Sequence, residues 1–283
     1  MHTSRLVRVA LAGLLLTGAA LAAASPAAAV TGLVYRSDIS AFDSETEKSA
    51  TASCPTGTRV LGGGGSITGA DSHVHLTRLQ PSGISDTYTA VAVERSAYAA
   101  NWRVNAYAIC GNAPAGLEYV SFHTGSDSEP TKEATASCTG SKKLIGLGAR
   151  IEGGSGQVVI DDMKPFGPLT SARVVAYEGP GGYDGSWHMW AYGVCANPLA
   201  GLEVKWAATD DPMDSQDDTV SVACPVGKKV HGVGGLITGA LGEVSFSGVY
   251  PAATLNSATV VAAEEPNGYL SNWWSEVFVI CAT

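Results

Sequence analysis

Beyond residue 30 the chain is written in short apolar runs separated by turn-forming residues. YTAVAVE, RVVAYE and TVVAAE, and later WRVNAYAIC, WHMWAYGVC and WWSEVFVIC, are rich in β-branched and aromatic side chains and bounded by Gly, Asn, Ser and Pro. Such side chains pack well on a pleated surface, and the bounding residues supply turns, so each run predicts a strand. The pattern gives about five or six strands in each third of the chain and no helix beyond the leader.

The runs recur in register. Cys54, Cys138 and Cys224 are followed by Cys110, Cys195 and Cys281 at separations of 56, 57 and 57 residues. A proline (Pro81, Pro165, Pro251), a glutamate (Glu94, Glu178, Glu264), a tyrosine (Tyr98, Tyr183, Tyr269) and a tryptophan (Trp102, Trp187, Trp273) keep the same step. GLVY, GLEY and GLEV open the units at Gly32, Gly116 and Gly201. A fixed period of this kind marks one supersecondary unit copied along the chain. Three β repeats result, 32–115, 116–200 and 201–283.

The run GGGG at 62–65 is read through the repeat. Gly62, Gly146 and Gly232 correspond, as do Gly64, Gly148 and Gly234, whereas Gly63 and Gly65 are local to the first unit. What recurs is an i, i+2 pair on one strand face. A phosphate loop needs the lysine and hydroxyl of G-x-x-x-x-G-K-[ST] with a helix behind it, and the segment has neither. A bare face instead lets another backbone or a large side chain approach closely.

Three equal β units fit two architectures. In one, each unit forms a sheet and the three close about a pseudo-threefold axis as a β-prism; in the other, three tandem small β-sandwiches each hold their own cysteine pair. The joins GNAPAGLE and ANPLAGLE are short and lack a flexible Gly/Ser spacer, which favours the prism.

Residues 1–29 carry Arg5 and Arg8, then VALAGLLLTGAALAAA, then SPAAA, the order of a secretory signal peptide cut after Ala29. The expected mature protein is secreted, extracellular and not inserted in a membrane, and in that setting six cysteines predict disulfides, one pair per unit, among the fifteen connectivities six allow. Losing Arg5 and Arg8 takes the formal net charge from −9 to about −11, which excludes nucleic acid and anionic membrane as natural partners. A single monomeric body is expected.

The succession C-P-x-G-x-x-V, a small-residue strand and then a strand ending in cysteine, three times over, resembles the vitelline membrane outer layer protein I family. That resemblance implies a secreted three-sheet β-prism. The family's Asp-Asp-Thr-Ala segment is absent between the cysteines, so its ligand preferences do not carry over. The chain is also similar, over essentially its whole mature length, to secreted actinobacterial proteins with CPxGxxVxGGG followed by WxVxAxxxC, a resemblance that implies no activity.

Two repeated sets are candidates for chemistry. Glu94, Glu178 and Glu264 end strands, and a basic residue recurs with them at Arg59, Lys143 and Lys229, which predicts three structural ion pairs rather than the paired carboxylates of glycoside hydrolysis. The loops AYAANW, GYDGSW and GYLSNWW hold Tyr98, Asn101 and Trp102; Tyr183, Ser186 and Trp187; and Tyr269, Asn272 and Trp273. An aromatic face with a polar rim can stack on a sugar ring, and three weak sites gain by multivalency on a polymer. His73 and His75 share a predicted strand face but lack a third ligand, so no metal or cofactor is assigned. The acidic stretch TDDPMDSQDD from Thr209 to Asp218 does not fit a calcium loop and reads as solvated. With no G-x-S-x-G elbow or nucleophile–base set, no enzyme is expected. The functional expectation is a lectin-like binder of an extracellular glycan or cell-wall polymer. Its alternatives are a structural or protein-binding module of the cell surface and, third, a polysaccharide hydrolase.

Overall fold

The computed structural model describes residues 28–209 and 217–283. The leader reading over 1–29 falls outside them up to residue 27, as does most of the acidic stretch, 210–216. Each repeat supplies six strands in the same order. The first holds β1 (Val34–Ile39), β2 (Glu47–Ser53), β3 (Arg59–Thr68), β4 (Val74–Ser82), β5 (Thr87–Glu94) and β6 (Arg103–Gly111). The second holds β7 (Glu118–His123), β8 (Thr131–Ser137), β9 (Lys143–Glu152), β10 (Val158–Phe166), β11 (Ser171–Glu178) and β12 (His188–Ala196). The third holds β13 (Glu203–Ala208), β14 (Asp218–Ala223), β15 (Lys229–Thr238), β16 (Val244–Pro251), β17 (Ser257–Glu264) and β18 (Trp274–Ala282).

The molecule is all-β, with three six-stranded antiparallel sheets in a pseudo-threefold arrangement, but a repeat is not a sheet. The sheet orders are β1-β6-β3-β16-β17-β14, β2-β5-β4-β9-β12-β7 and β13-β18-β15-β10-β11-β8. Every repeat therefore splits into two three-stranded halves and lends each half to a different sheet. This corrects the expectation of one sheet per unit, and it also separates the molecule from a string of tandem sandwiches. The halves join at seams of only two paired positions each: Arg78↔Arg150 with Leu79↔Ala149, Asp162↔Leu236 with Met163↔Gly235, and Gly248↔Ser66 with Val249↔Gly65.

The recurring glycines show why the halves can exchange. A Cβ on Gly62 would lie 2.1 Å from the His231 carbonyl oxygen, one on Gly146 1.9 Å from that of Leu61, and one on Gly232 2.7 Å from that of Ile145. The three contacts form a closed cycle of backbone against backbone, first repeat on third, second on first, third on second. Gly64, Gly148 and Gly234 do the same at the seams, against the carbonyls of Val249, Leu79 and Met163. Gly63 and Gly65, which look incidental in the sequence, have their own neighbours. A Cβ on Gly63 would sit 2.5 Å from the Tyr88 ring and one on Gly65 2.7 Å from Ala90. Tyr88 is fully buried, at the place where the other repeats carry Ala172 and Ala258, so Gly63 offsets the volume of the larger ring.

Inward positions are small. Ala50 and Ala52 on β2, Ala134 and Ala136 on β8 and Ala258 and Ala262 on β17 are buried, which lets the sheets approach closely. Each second cysteine lies buried at the end of a strand, and the bridges are Cys54–Cys110, Cys138–Cys195 and Cys224–Cys281, one within each repeat as expected. Closing loops of this length restricts the unfolded chain, which by chain-entropy reasoning stabilises by about 4 kcal/mol per bridge.

Candidate functional site

The repeated polar set forms three copies of one buried constellation. β5, β11 and β17 end on Glu94, Glu178 and Glu264, and the chain then loops over the sheet end before β6, β12 and β18 begin. In each copy one carboxylate oxygen accepts from the indole Nε1–H of the following tryptophan: Trp102 at 3.2 Å, Trp187 at 2.9 Å and Trp273 at 2.7 Å. The other oxygen accepts the backbone N–H of Tyr98 at 3.1 Å, Tyr183 at 3.0 Å and Tyr269 at 2.8 Å. Both oxygens are thus committed to donors a few residues on, and the carboxylate fastens its own loop.

These bonds overturn the expected ion pairs. Arg59 donates to Asp86 (2.6 Å) and to the Gly83 carbonyl (2.7 Å), while Lys143 and Lys229 donate to the carbonyls of Pro168 and Thr254, both at 2.9 Å. All three cations reach the hairpin turn that starts β5, β11 or β17, whereas the glutamates stand at the other end of those strands, roughly 20 Å away at about 3.3 Å per residue. The cation that does serve the constellation is a buried lysine on β2 or β8. Lys48 lies 4.9 Å from the centre of the Trp102 ring and pairs with Asp43; Lys132 lies 4.9 Å from Trp187 and pairs with Asp127. Burial depresses the Lys48 ammonium and Glu94 partly restores it. The third repeat carries Asp218 at the corresponding place, where it accepts from Thr209 and from the Ser275 backbone.

The tryptophans offer no face to a ligand. Trp102, Trp187 and Trp273 are 0%, 0% and 2% exposed, so their place in the candidate ligand site is corrected to the core. The tyrosines are half-buried; Tyr98 and Tyr269 donate their hydroxyls to the carbonyls of Gly69 (3.1 Å) and Gly239 (2.9 Å), and Tyr183 rests against Gly185. Asn101, Ser186 and Asn272 are exposed at the loop tips. His73 and His75 do not share a strand face. His73 sits in a 3₁₀ turn, Asp71–His73, stacked on Tyr98 at 4.5 Å, while His75 on β4 is wholly buried with its Nε2 3.2 Å from the Val158 carbonyl. Burial and then Arg95 push the His75 imidazole down to about 3.

Two features were missed by sequence reasoning, because their residues differ between the repeats. β4, β10 and β16 each carry an extra residue at a bulge, Thr77, Asp161 and Ser247. Thr77 and Ser247 hydroxyls donate across to Val91 and Val261. Asp161 puts a carboxyl at the same position, and burial followed by its neighbour Asp162 raises it to about 8. Asp162 beside it is held by Lys164 and Arg173, at 3.0 and 3.4 Å. The second feature is an outward-facing row of basic and aromatic side chains on the β2–β7 sheet, with Arg78, Arg150, Trp190 and His123 in line.

No family model matches the chain, and no curated protein matches it. Among the described residues no helix is long and apolar enough to cross a membrane, and no group of three or more His, Cys, Asp or Glu side chains is placed to hold a metal ion.

Proposed function

We propose that this chain is an extracellular, non-enzymatic structural module of the cell surface, a β-prism whose three shared sheets serve as rigid faces. The observation that carries the reading is the internal commitment of the repeated chemistry: each of Glu94, Glu178 and Glu264 spends both oxygens on its own loop, and each partner tryptophan is buried. Groups that recur threefold and are satisfied by one another hold a shape, and they leave nothing for turnover. The cyclic glycine contacts support the prism, and the leader together with three disulfides supports export to an oxidising compartment. The resemblance to secreted three-sheet proteins points the same way.

A triple Tyr98→Ala, Tyr183→Ala, Tyr269→Ala variant separates this reading from a lectin built on the three loops. The structural reading expects a lower melting temperature with retention on a panel of insoluble polysaccharides unchanged. Retention lost at an unchanged melting temperature would favour the loop lectin. Protein recovered only inside cells with six reduced thiols contradicts an extracellular role.

A further inference from the structure

The β2–β7 sheet presents a feature that the pseudo-threefold plan does not require. At its seam Arg78 on β4 stands directly opposite Arg150 on β9, Arg150 opposite Trp190 on β12, and Trp190 opposite His123 on β7. The corresponding rows in the other two sheets read Asp162, Leu236, Glu276, Ala208 and Gly248, Ser66, Asn105, Ile39. The scaffold thus accepts acidic, apolar or small residues here, and in one sheet alone it carries two arginines face to face.

Like charges directly opposite on adjacent strands are destabilising. Arg150 is compensated by Glu152 and by the Tyr192 hydroxyl. Arg78 is not: among the described residues no side chain pairs with its guanidinium, and its buried Nε has no acceptor. Glu47 on β2 and Tyr192 on β12 favour its charge only at longer range, against burial and Arg150.

Arg78 opens into a cleft of ≈ 330 Å³. Glu47, Thr77, Val91 and Val93 line it from β2, β4 and β5, and Ile151 and Glu152 from β9. Within the row, the Trp190 ring is held by its Nε1–H donating to Glu152 at 3.3 Å, by His123 at 4.4 Å, and by Tyr192 stacked parallel at 6.0 Å. A fixed, partly exposed indole stands two strands, about 10 Å, from an unpaired guanidinium, with the paired Arg150 between them, a spacing that suits neighbouring sugars of a chain bearing carboxylates. The ring carbons of one sugar cover the indole face, and the carboxylate of a neighbour takes the planar donor fork.

We propose that the Arg78–Arg150–Trp190–His123 row and its cleft bind a uronate-bearing polysaccharide. This goes beyond the structural reading and stands on the row alone. A chain of net charge −9 repels polyanions as a whole, so binding must come from this local site rather than from general attraction.

The test is affinity electrophoresis of the full chain in gels containing polygalacturonate, with neutral dextran gels as reference. Retardation by polygalacturonate and not by dextran is expected, with Arg78→Met and Trp190→Ala each weakening it about tenfold or more, the worth of a charge-assisted hydrogen bond or a stacked ring. Arg78→Met removes an uncompensated cation, so its melting temperature should stay level or rise, a result that a purely structural arginine would not give. The proposal is overturned by no retardation in polygalacturonate, by equal retardation in dextran, by unchanged binding in either variant, or by loss of binding that accompanies a lowered melting temperature in Arg78→Met.

Discussion

Gly146→Ala puts a single methyl group into the cycle that joins the three repeats. Its Cβ would lie 1.9 Å from the Leu61 carbonyl oxygen, 2.9 Å from the carbonyl carbon and 3.1 Å from Gly62 Cα, all backbone atoms with no rotamer to change. Real Cβ contacts essentially never fall under 3.0 Å, so the Leu61 strand must retreat by more than about 1 Å. It cannot do so freely. Gly62 follows Leu61 and already abuts His231, and Gly232 beyond it abuts Ile145, which precedes Gly146 itself. Overpacking of a tight interior costs about 1–3 kcal/mol, and a closed ring without slack belongs at the upper end. At about 2–4 °C per kcal/mol for a chain of this size, the melting temperature should fall by about 6–12 °C. Gly181→Ala is the control, since nothing lies within 4 Å of the added atom and the residue is not in the left-handed region. The assay is thermal unfolding with the disulfides intact. Gly62→Ala, at 2.1 Å, should resemble Gly146→Ala, and Gly232→Ala, at 2.7 Å, should be milder. If Gly146→Ala melts with Gly181→Ala, the axial contact is not what holds the repeats together.

Glu178→Gln replaces two acceptors by one acceptor and a donor facing a donor, and should lower unfolding free energy by about 1.5–3 kcal/mol in a urea titration; unchanged stability would return Glu178 to the pool of candidate catalytic groups. Asp161→Thr installs the hydroxyl that Thr77 and Ser247 supply elsewhere. Because the folded carboxyl is raised to about 8, its contribution to stability is full below the unfolded carboxylate range and is lost as pH rises through 8. The variant should therefore outlast the parent above pH 8 and show a flatter stability profile from pH 5 to 9, and parallel profiles would refute the protonated carboxyl. His75→Val, the residue of the second repeat, works at the other limb. The folded imidazole titrates near 3, so the parent should lose about 1.4 kcal/mol per pH unit as pH falls below the unfolded value near 6.5, a slope the variant should lack when unfolding is followed by tryptophan fluorescence.

The sequence made the core legible because core groups recur in all three repeats. The cysteine bridges followed from the repeat together with an exported setting, and the strands, expected as five or six per unit and found as six, from β-branched and aromatic runs between turn residues. Equal spacing says which residues share a unit and is silent on which of them touch. Arg59 and Glu94 keep step in sequence yet stand at opposite ends of β5, and the nearer partner, Trp102, was hidden because an indole N–H is not read as the counterpart of a carboxylate. The exchange of halves between sheets was also hidden, because two paired positions per seam leave no pattern in either strand. The Arg78–Trp190 row was missed for the opposite reason. It lies where the repeats differ, so a search for features in triplicate passes over it, and its members come from two repeats.

The most direct test of the interwoven fold is a set of backbone amide and Hα contacts in a nuclear Overhauser spectrum of the labelled, oxidised protein. Close contacts are expected across all three seams, Leu79 with Ala149, Met163 with Gly235 and Val249 with Gly65. Contacts that join strands only within each repeat, with these three pairs silent, would contradict the account.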